Sequence, residues 1–276
     1  MKETKVKFPF QLLRFWFRRN FLLWFIAGFF IFIVQILVCN IARDNEKLRL
    51  MMNLLDTLPA FMKNAIGGDL LSIGNIGGFI AIGYQHPLVL IAFMTFAISI
   101  STGLLTGQVQ NGMMELILSR SVTKNHVYVC ACFLTLAGML ALVLVMFSGT
   151  VIGVNICHLN DQVNLQPFFR ACIVGGLLSG TAAGVSLLAA VSFRSRGTAV
   201  GIALAFFVVN YFIDVISGWW PKAEFLGPFS IFYYVSPQRI LHGPGWPVSD
   251  MCVLMSIILV TVIAGAIVWN RRDLPL

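Results

Sequence analysis

Between Phe21 and Asn40 the chain runs for twenty residues without a charged side chain, and it does this again and again. Apolar runs of similar length recur at about 86–107, 127–154, 169–193, 198–217 and 251–269. An α-helix needs about 20 apolar residues to cross the hydrocarbon of a bilayer. A transmembrane barrel would instead show strands of about ten residues with alternating polarity. The unbroken runs therefore predict an all-α polytopic membrane protein, a single transmembrane domain over residues 1–276 with six spans. Composition agrees. Only 11% of the 276 residues are charged and the mean hydropathy is +0.87, against roughly 25% charged residues in a soluble domain.

Charge sets the expected orientation. Residues 1–20 carry six bases and one acid among Phe, Leu and Trp, the pattern of an amphipathic helix lying in the membrane interface. With the N-terminus in the cytoplasm, the inside segments (1–20, 108–126, 194–197 and 270–276) hold 12 bases and 3 acids, whereas the outside segments hold 7 of each. The whole positive excess then falls on one side, as the positive-inside rule expects. Both termini are expected in the cytoplasm, in the inner membrane of the cell. The net charge of +8 is accounted for by topology and calls for no nucleic acid. Residues 41–85 read as an outer loop with one or two short amphipathic helices around 48–66, ended by Gly67 and Gly68. The stretch Arg194–Gly197 is short enough to force an antiparallel hairpin.

Catalytic motifs are not visible. The glycine-rich phosphate cradle GxxxxGK[ST] does not occur, and His86, His126, His158 and His242 are scattered without metal-ligand spacing. No metal, bound cofactor or enzymatic activity of this chain is expected. The six cysteines form no CxxC pair and read as small apolar residues.

The inside loop, GQVQNGMMELILSRSVTKNHV, is the most informative stretch. Residues Gly112 to Leu118 predict a short helix with Asn111 as its N-cap and Glu115 in its first turns. Met113, Met114, Leu116 and Ile117 are expected to be exposed and to seek a protein groove; the alternative is a helix lying on the inner leaflet. The loop resembles that of the permease subunits of ATP-binding-cassette (ABC) exporters of the type-2 class, which reads roughly E-x-x-x-G-T-x-E-x-L-L-x-x-P-x-S/T-R/K. Gly112, Glu115, Leu118, Thr123 and Lys124 fit; Gln108, Met113 and Ser121 depart from it. The basic N-terminal segment looks like that family's interfacial helix, residues 229–245 like its outer segment, and Trp269-Asn270-Arg271-Arg272-Asp273-Leu274 like its tail. The resemblance implies a cytoplasmic coupling loop over 108–126, in which Asn111 through Leu118, Arg120 and Lys124 meet a separate ATPase. It implies two ATPase copies holding ATP and Mg²⁺, a second permease copy, and export of an unspecified substrate.

Three features fall outside that loop. Gly176, Gly180 and Gly184 place a smooth strip on one face of span four, suited to close helix packing within or between subunits. Asp214 lies near the outer end of span five, either reaching interfacial water or serving a pathway, with Arg170 as its candidate partner. The outer segment 218–250 is rich in aromatics, with Phe232, Tyr233 and Tyr234 as candidate gate residues, and is broken by Pro221, Gly227, Pro228, Pro237, Gly243 and Pro244. It reads either as an interfacial aromatic belt or as short re-entrant helices. The second functional reading is a permease-like mechanotransmitter that passes ATPase work to a periplasmic or surface partner without transport. A secondary carrier or channel is a third; it would be expected to show several polar groups at the bilayer centre, and the spans hold few.

Overall fold

The computed structural model describes residues 9–44, 46, 49–50, 53–54, 57, 59, 62, 76–119, 122–235, 240 and 245–273. Its elements are α1 (Phe10–Arg43), α2 (Ile76–Gln85), α3 (Pro87–Leu104), α4 (Thr106–Gln110), α5 (Met113–Leu118), α6 (Lys124–Ile156), α7 (Leu165–Ser192), α8 (Arg196–Trp219), a 3₁₀ helix η1 (Pro221–Phe229) and α9 (Val248–Arg271). There is no strand among the described residues. Six helical stretches, with α2 to α4 counted as one, are long and apolar enough to cross a membrane. The chain is an all-α polytopic membrane protein. Most of the stretch 48–66, where one or two short helices are expected, lies outside the described residues, as do Gly67, Gly68, Pro237, Gly243 and Pro244.

Two boundaries differ from the sequence reading. The division between an interfacial segment and a first span at residue 20 is absent over the described part: α1 runs from Phe10 to Arg43 without a break. No Gly or Pro interrupts it until Ala27 is passed, and Asn20 donates its amide Nδ2 to the Trp16 carbonyl within the helix at 2.8 Å. The second correction concerns residues 76–85, assigned to the outer loop. They form the buried helix α2, joined to α3 where Pro87 takes the first helical position and the His86 Nδ1 accepts from the Leu88 N–H at 3.3 Å. Pro is suited to that position because its missing N–H would be unpaired there anyway.

Remaining helix starts follow from local capping. Thr123 accepts from His126 N–H, Asn164 from Gln166 N–H and Ser195 from Thr198 N–H. The last of these opens α8 immediately after α7 ends, giving the hairpin.

The core is centred on α7, the most enclosed span, while α1 and α9 are the least enclosed. In lipid, apolar side chains gain little by meeting each other, so association depends on close packing at small residues. Gly180 and Gly184 receive α9: a Cβ at Gly180 would stand 2.8 Å from Ile258 Cδ1, and one at Gly184 would collide with Thr261. Gly176 faces Val143 of α6. On the other side, α1 lies on α6 at Gly149 and Gly153, where a Cβ would stand 3.0 Å from Gln35 Cβ and 2.8 Å from Cys39 Sγ. The side-chain amide of Gln35 is fully buried there and has no hydrogen-bond partner among the described residues. α2 is tied to α6 by a hydrogen bond between Tyr84 Oη and Thr150 Oγ1 at 2.8 Å.

Gly138 is the tightest three-way contact. A Cβ there would lie 2.9 Å from Phe96 Cε1, Phe96 Cζ and Trp24 Cζ2, two rings already packed edge to face. Gly138→Ala should therefore cost about 1–3 kcal/mol of stability through overpacking. Gly201→Ala, with nothing within 4 Å of the added atom, should cost nothing. Thermal unfolding of both variants in one detergent checks the pair.

Candidate functional site

α5 is six residues long and projects from one end of the bundle. Its N-cap is Gly112, at φ +70 and ψ −3, and no side chain caps it; the expected cap, Asn111, is part of the preceding turn and donates its N–H to the Gly107 carbonyl at 3.1 Å. The reason is conformational. The turn between α4 and α5 needs a left-handed residue, which glycine adopts without a Cβ penalty, and Gly112 is the residue that supplies it.

The six side chains of α5 divide by face. Met114 is buried at 2% exposure and fastens α5 to the bundle, contrary to its expected exposure. Ile117 and Leu118 are half-buried against the same core. Met113 at 37% and Leu116 at 62% are exposed, with Glu115 beside them. The projecting surface is thus Met113, Glu115 and Leu116. Arg120 lies outside the described residues. Lys124 is not on this surface: it is the first residue of α6.

Hydrogen bonds fix both approaches to α5. On the entry side, Thr106 Oγ1 donates to the Ala190 carbonyl of α7, and Gln110 Oε1 accepts from the Arg196 N–H of α8 at 3.0 Å. The Arg196 guanidinium covers the bare backbone at Gly103, where a Cβ would be 3.6 Å from Nη2. On the exit side, Trp269 Nε1 donates to the Lys124 carbonyl at 2.9 Å and Lys124 Nζ donates to the Arg272 carbonyl at 3.2 Å. Arg272 Nη1 donates to the Val191 carbonyl at 2.9 Å. The tail Trp269 to Asp273 therefore clasps the ends of α6 and α7; Leu274 lies outside the described residues.

The opposite end is built around Asn210 in α8. Its side-chain Oδ1 accepts from the Ile231 N–H at 3.1 Å, and its carbonyl accepts from Ser230 Oγ at 2.9 Å. Gln85 Nε2 donates to the Val235 carbonyl at 2.7 Å, and the rings of Tyr211 and Phe232 meet edge to face at 6.0 Å and 88°. These contacts fold the segment after α8 back over the bundle. Beneath it lies a cavity of about 60 Å³ whose polar lining is Tyr84, Gln85, Ser179, Tyr211 and Asp214, with Phe232 among its apolar walls.

Of the expected pathway residues, Asp214 and Phe232 face this cavity. Arg170 instead reaches the Gly245 carbonyl with Nη1 at 2.9 Å. Tyr234 donates to the Pro228 carbonyl at 2.7 Å, and Tyr233 lies over Gly227, where a Cβ would stand 2.9 Å from its ring. The aromatics on this segment thus mix two roles. Trp219, Trp220, Phe225 and Phe229 are exposed, while Phe232 is buried.

Sequence reasoning missed Asn210, Ser230 and Gln85. Asn210 carried a usable signal, since a polar amide inside an apolar span demands a partner. Gly149 and Gly153 carried one too, at the same spacing of four that singled out the strip on α7. No group of three or more His, Cys, Asp or Glu able to hold a metal occurs among the described residues. Comparison of the chain with known proteins finds no matching family model and no similar curated protein.

Asn210→Leu should strip the partner from one buried N–H, that of Ile231, at a cost of about 1–3 kcal/mol when left unpaired, while the Ser230 hydroxyl keeps the backbone carbonyl. The expected outcome is faster chymotrypsin cleavage at Phe225 or Phe229 with the spans still intact, read by mass spectrometry of the fragments.

Proposed function

We propose that this chain is the membrane-spanning permease subunit of an ATP-driven exporter of the type-2 ABC class, residing in the inner membrane with both termini in the cytoplasm. The observation that carries the reading is α5: a six-residue helix held by Met114, presenting Met113, Glu115 and Leu116 outward. Such a surface suits a groove on a separate ATPase. It lies among the segments that hold the chain's positive excess, which the positive-inside rule assigns to the cytoplasm.

In this reading two permease copies, or this chain and a similar one, form the pathway between them, and two ATPase subunits supply ATP and Mg²⁺. ATP binding draws the ATPases together and displaces α5. The chain contributes two arrangements of packed helices, and the ATPase biases which is populated. No step of hydrolysis takes place on this chain.

A second reading, a mechanotransmitter that works on an outer partner without moving a substrate, draws support from the cavity. Its volume of about 60 Å³ is far below the roughly 300–1,000 Å³ of small-molecule sites. A pathway would then use the open apolar groove of about 790 Å³ where α6, α7 and α9 meet, lined by Leu140, Phe169, Gly176 and Met255, and not this cavity.

Glu115→Arg reverses the charge at the centre of the projecting surface. It should abolish co-purification of the ATPase while leaving membrane insertion unchanged; a normal pull-down from that variant refutes the coupling assignment. The purified chain alone should show no ATP hydrolysis above background, with activity appearing only when the partner is added. Hydrolysis by the chain alone would overturn the subunit reading.

A further inference from the structure

At the end of the bundle that carries α5, three helix ends converge: the start of α6 and the ends of α7 and α9. They bring Lys124, Arg194, Arg271 and Arg272 together. Arg272 is held in place by its bond to the Val191 carbonyl, and its own carbonyl takes the Lys124 ammonium. Arg194 follows the end of α7, is exposed, and lies near enough for like-charge repulsion. The Arg272 guanidinium holds its proton less tightly than usual, first because it is partly buried and then because of Arg194. Among the described residues none of these four bases forms an ion pair; the acid in the tail, Asp273, is exposed. The start of α6 adds the positive end of a 33-residue helix to the same place.

Cations gathered this way repel each other unless an anion lies among them. The depth of the cluster says which anion. It sits where three spans end, and the turns just within the membrane present apolar side chains outward: Val129 and Phe133 on α6, Ile263 and Ile267 on α9. A group at this level beside such a surface is a lipid headgroup, with its acyl chains along those side chains. A zwitterionic lipid brings its own ammonium to the arginines, whereas an anionic lipid does not. We propose that Arg194, Arg272 and Lys124 form a binding site for the phosphate of an anionic glycerophospholipid. The site rests on the spans and their ends, not on the transporter reading, and it is tested without the ATPase.

The test is native mass spectrometry of the purified full chain titrated with phosphatidylglycerol or phosphatidylcholine. The wild type should prefer phosphatidylglycerol. Arg194→Gln, at an exposed residue that makes no described bond, should weaken phosphatidylglycerol binding about fivefold, the factor for one basic residue at an anionic surface. Phosphatidylcholine binding should not change, and Arg194→Lys should restore most of the preference. Equal binding of the two lipids by the wild type, or an undiminished preference in Arg194→Gln, overturns the site. So does displacement of the lipid by free glycerol phosphate at matching concentration, which assigns the cluster to a soluble phosphate ester.

Discussion

Helices dissolved in hydrocarbon have no solvent to escape, so what holds this bundle together is how closely backbones can approach. Glycine decides that distance. The two spans with the least enclosure, α1 and α9, are each retained at a pair of glycines spaced four apart: Gly149 and Gly153 for α1, Gly180 and Gly184 for α9. α6 and α7 supply these pairs and so occupy the middle. Polar contacts join the spans as well: Tyr128 Oη on the Val262 carbonyl, Thr181 Oγ1 on the Leu254 carbonyl, and Tyr84 Oη with Thr150 Oγ1. Gln35 differs: it is an amide enclosed between Gly83 and Gly149, with both of its polar atoms buried without a described partner. That burial costs stability at the α1–α2–α6 junction, and Trp16 Nε1 and Ser186 Oγ are in the same condition elsewhere.

The spans were legible because each is a long apolar run stopped by charge or by a capping residue. Spans three, five and six lie inside α6, α8 and α9 with a few residues to spare, and span four runs one residue past the end of α7, to Phe193; the starts agree since Thr123, Asn164 and Ser195 do locally what their side chains favour. α2 was not legible. Its sequence, IGGFIAIGYQ, carries three glycines and runs into His86-Pro87, all of which read as turn signals. What makes it a helix is its enclosure by α1 and α7, with Gly83 admitting Gln35, Tyr84 meeting the Phe168 ring, and the Tyr84 hydroxyl reaching Thr150 of α6. Those partners are distant in sequence, and no local rule reports them.

The projecting surface was half legible for a related reason. Periodicity finds a short helix after Gly112 but cannot say which side faces the bundle, so Met114 looked equivalent to Met113. Asn111 lost the cap because the turn demanded a left-handed residue, which outweighed the preference for a side-chain acceptor. The cavity at the end opposite α5 was visible only as scattered residues. Asp214 and Phe232 come together with Tyr84 and Gln85 because Asn210 folds the segment after α8 back on itself, a closure fixed by a few hydrogen bonds and not by any pattern of apolar residues.

The bonds flanking α5 have a mechanical consequence. Thr106 is yoked to α7, Gln110 to α8, and Lys124 to α9, all at one level. A displacement entering there is therefore opposed as sliding of one helix along its neighbour and is accepted more easily as tilting of the yoked group in one piece. Along α7, the stretch from Ala190 to Ala171 rises about 28 Å at 1.5 Å per residue. Over such an arm a tilt of about 3° becomes roughly 1.5 Å of travel at Ala171, in the wall of the cavity at the opposite end. The clasp turns a small angular motion at one face of the membrane into a linear one at the other.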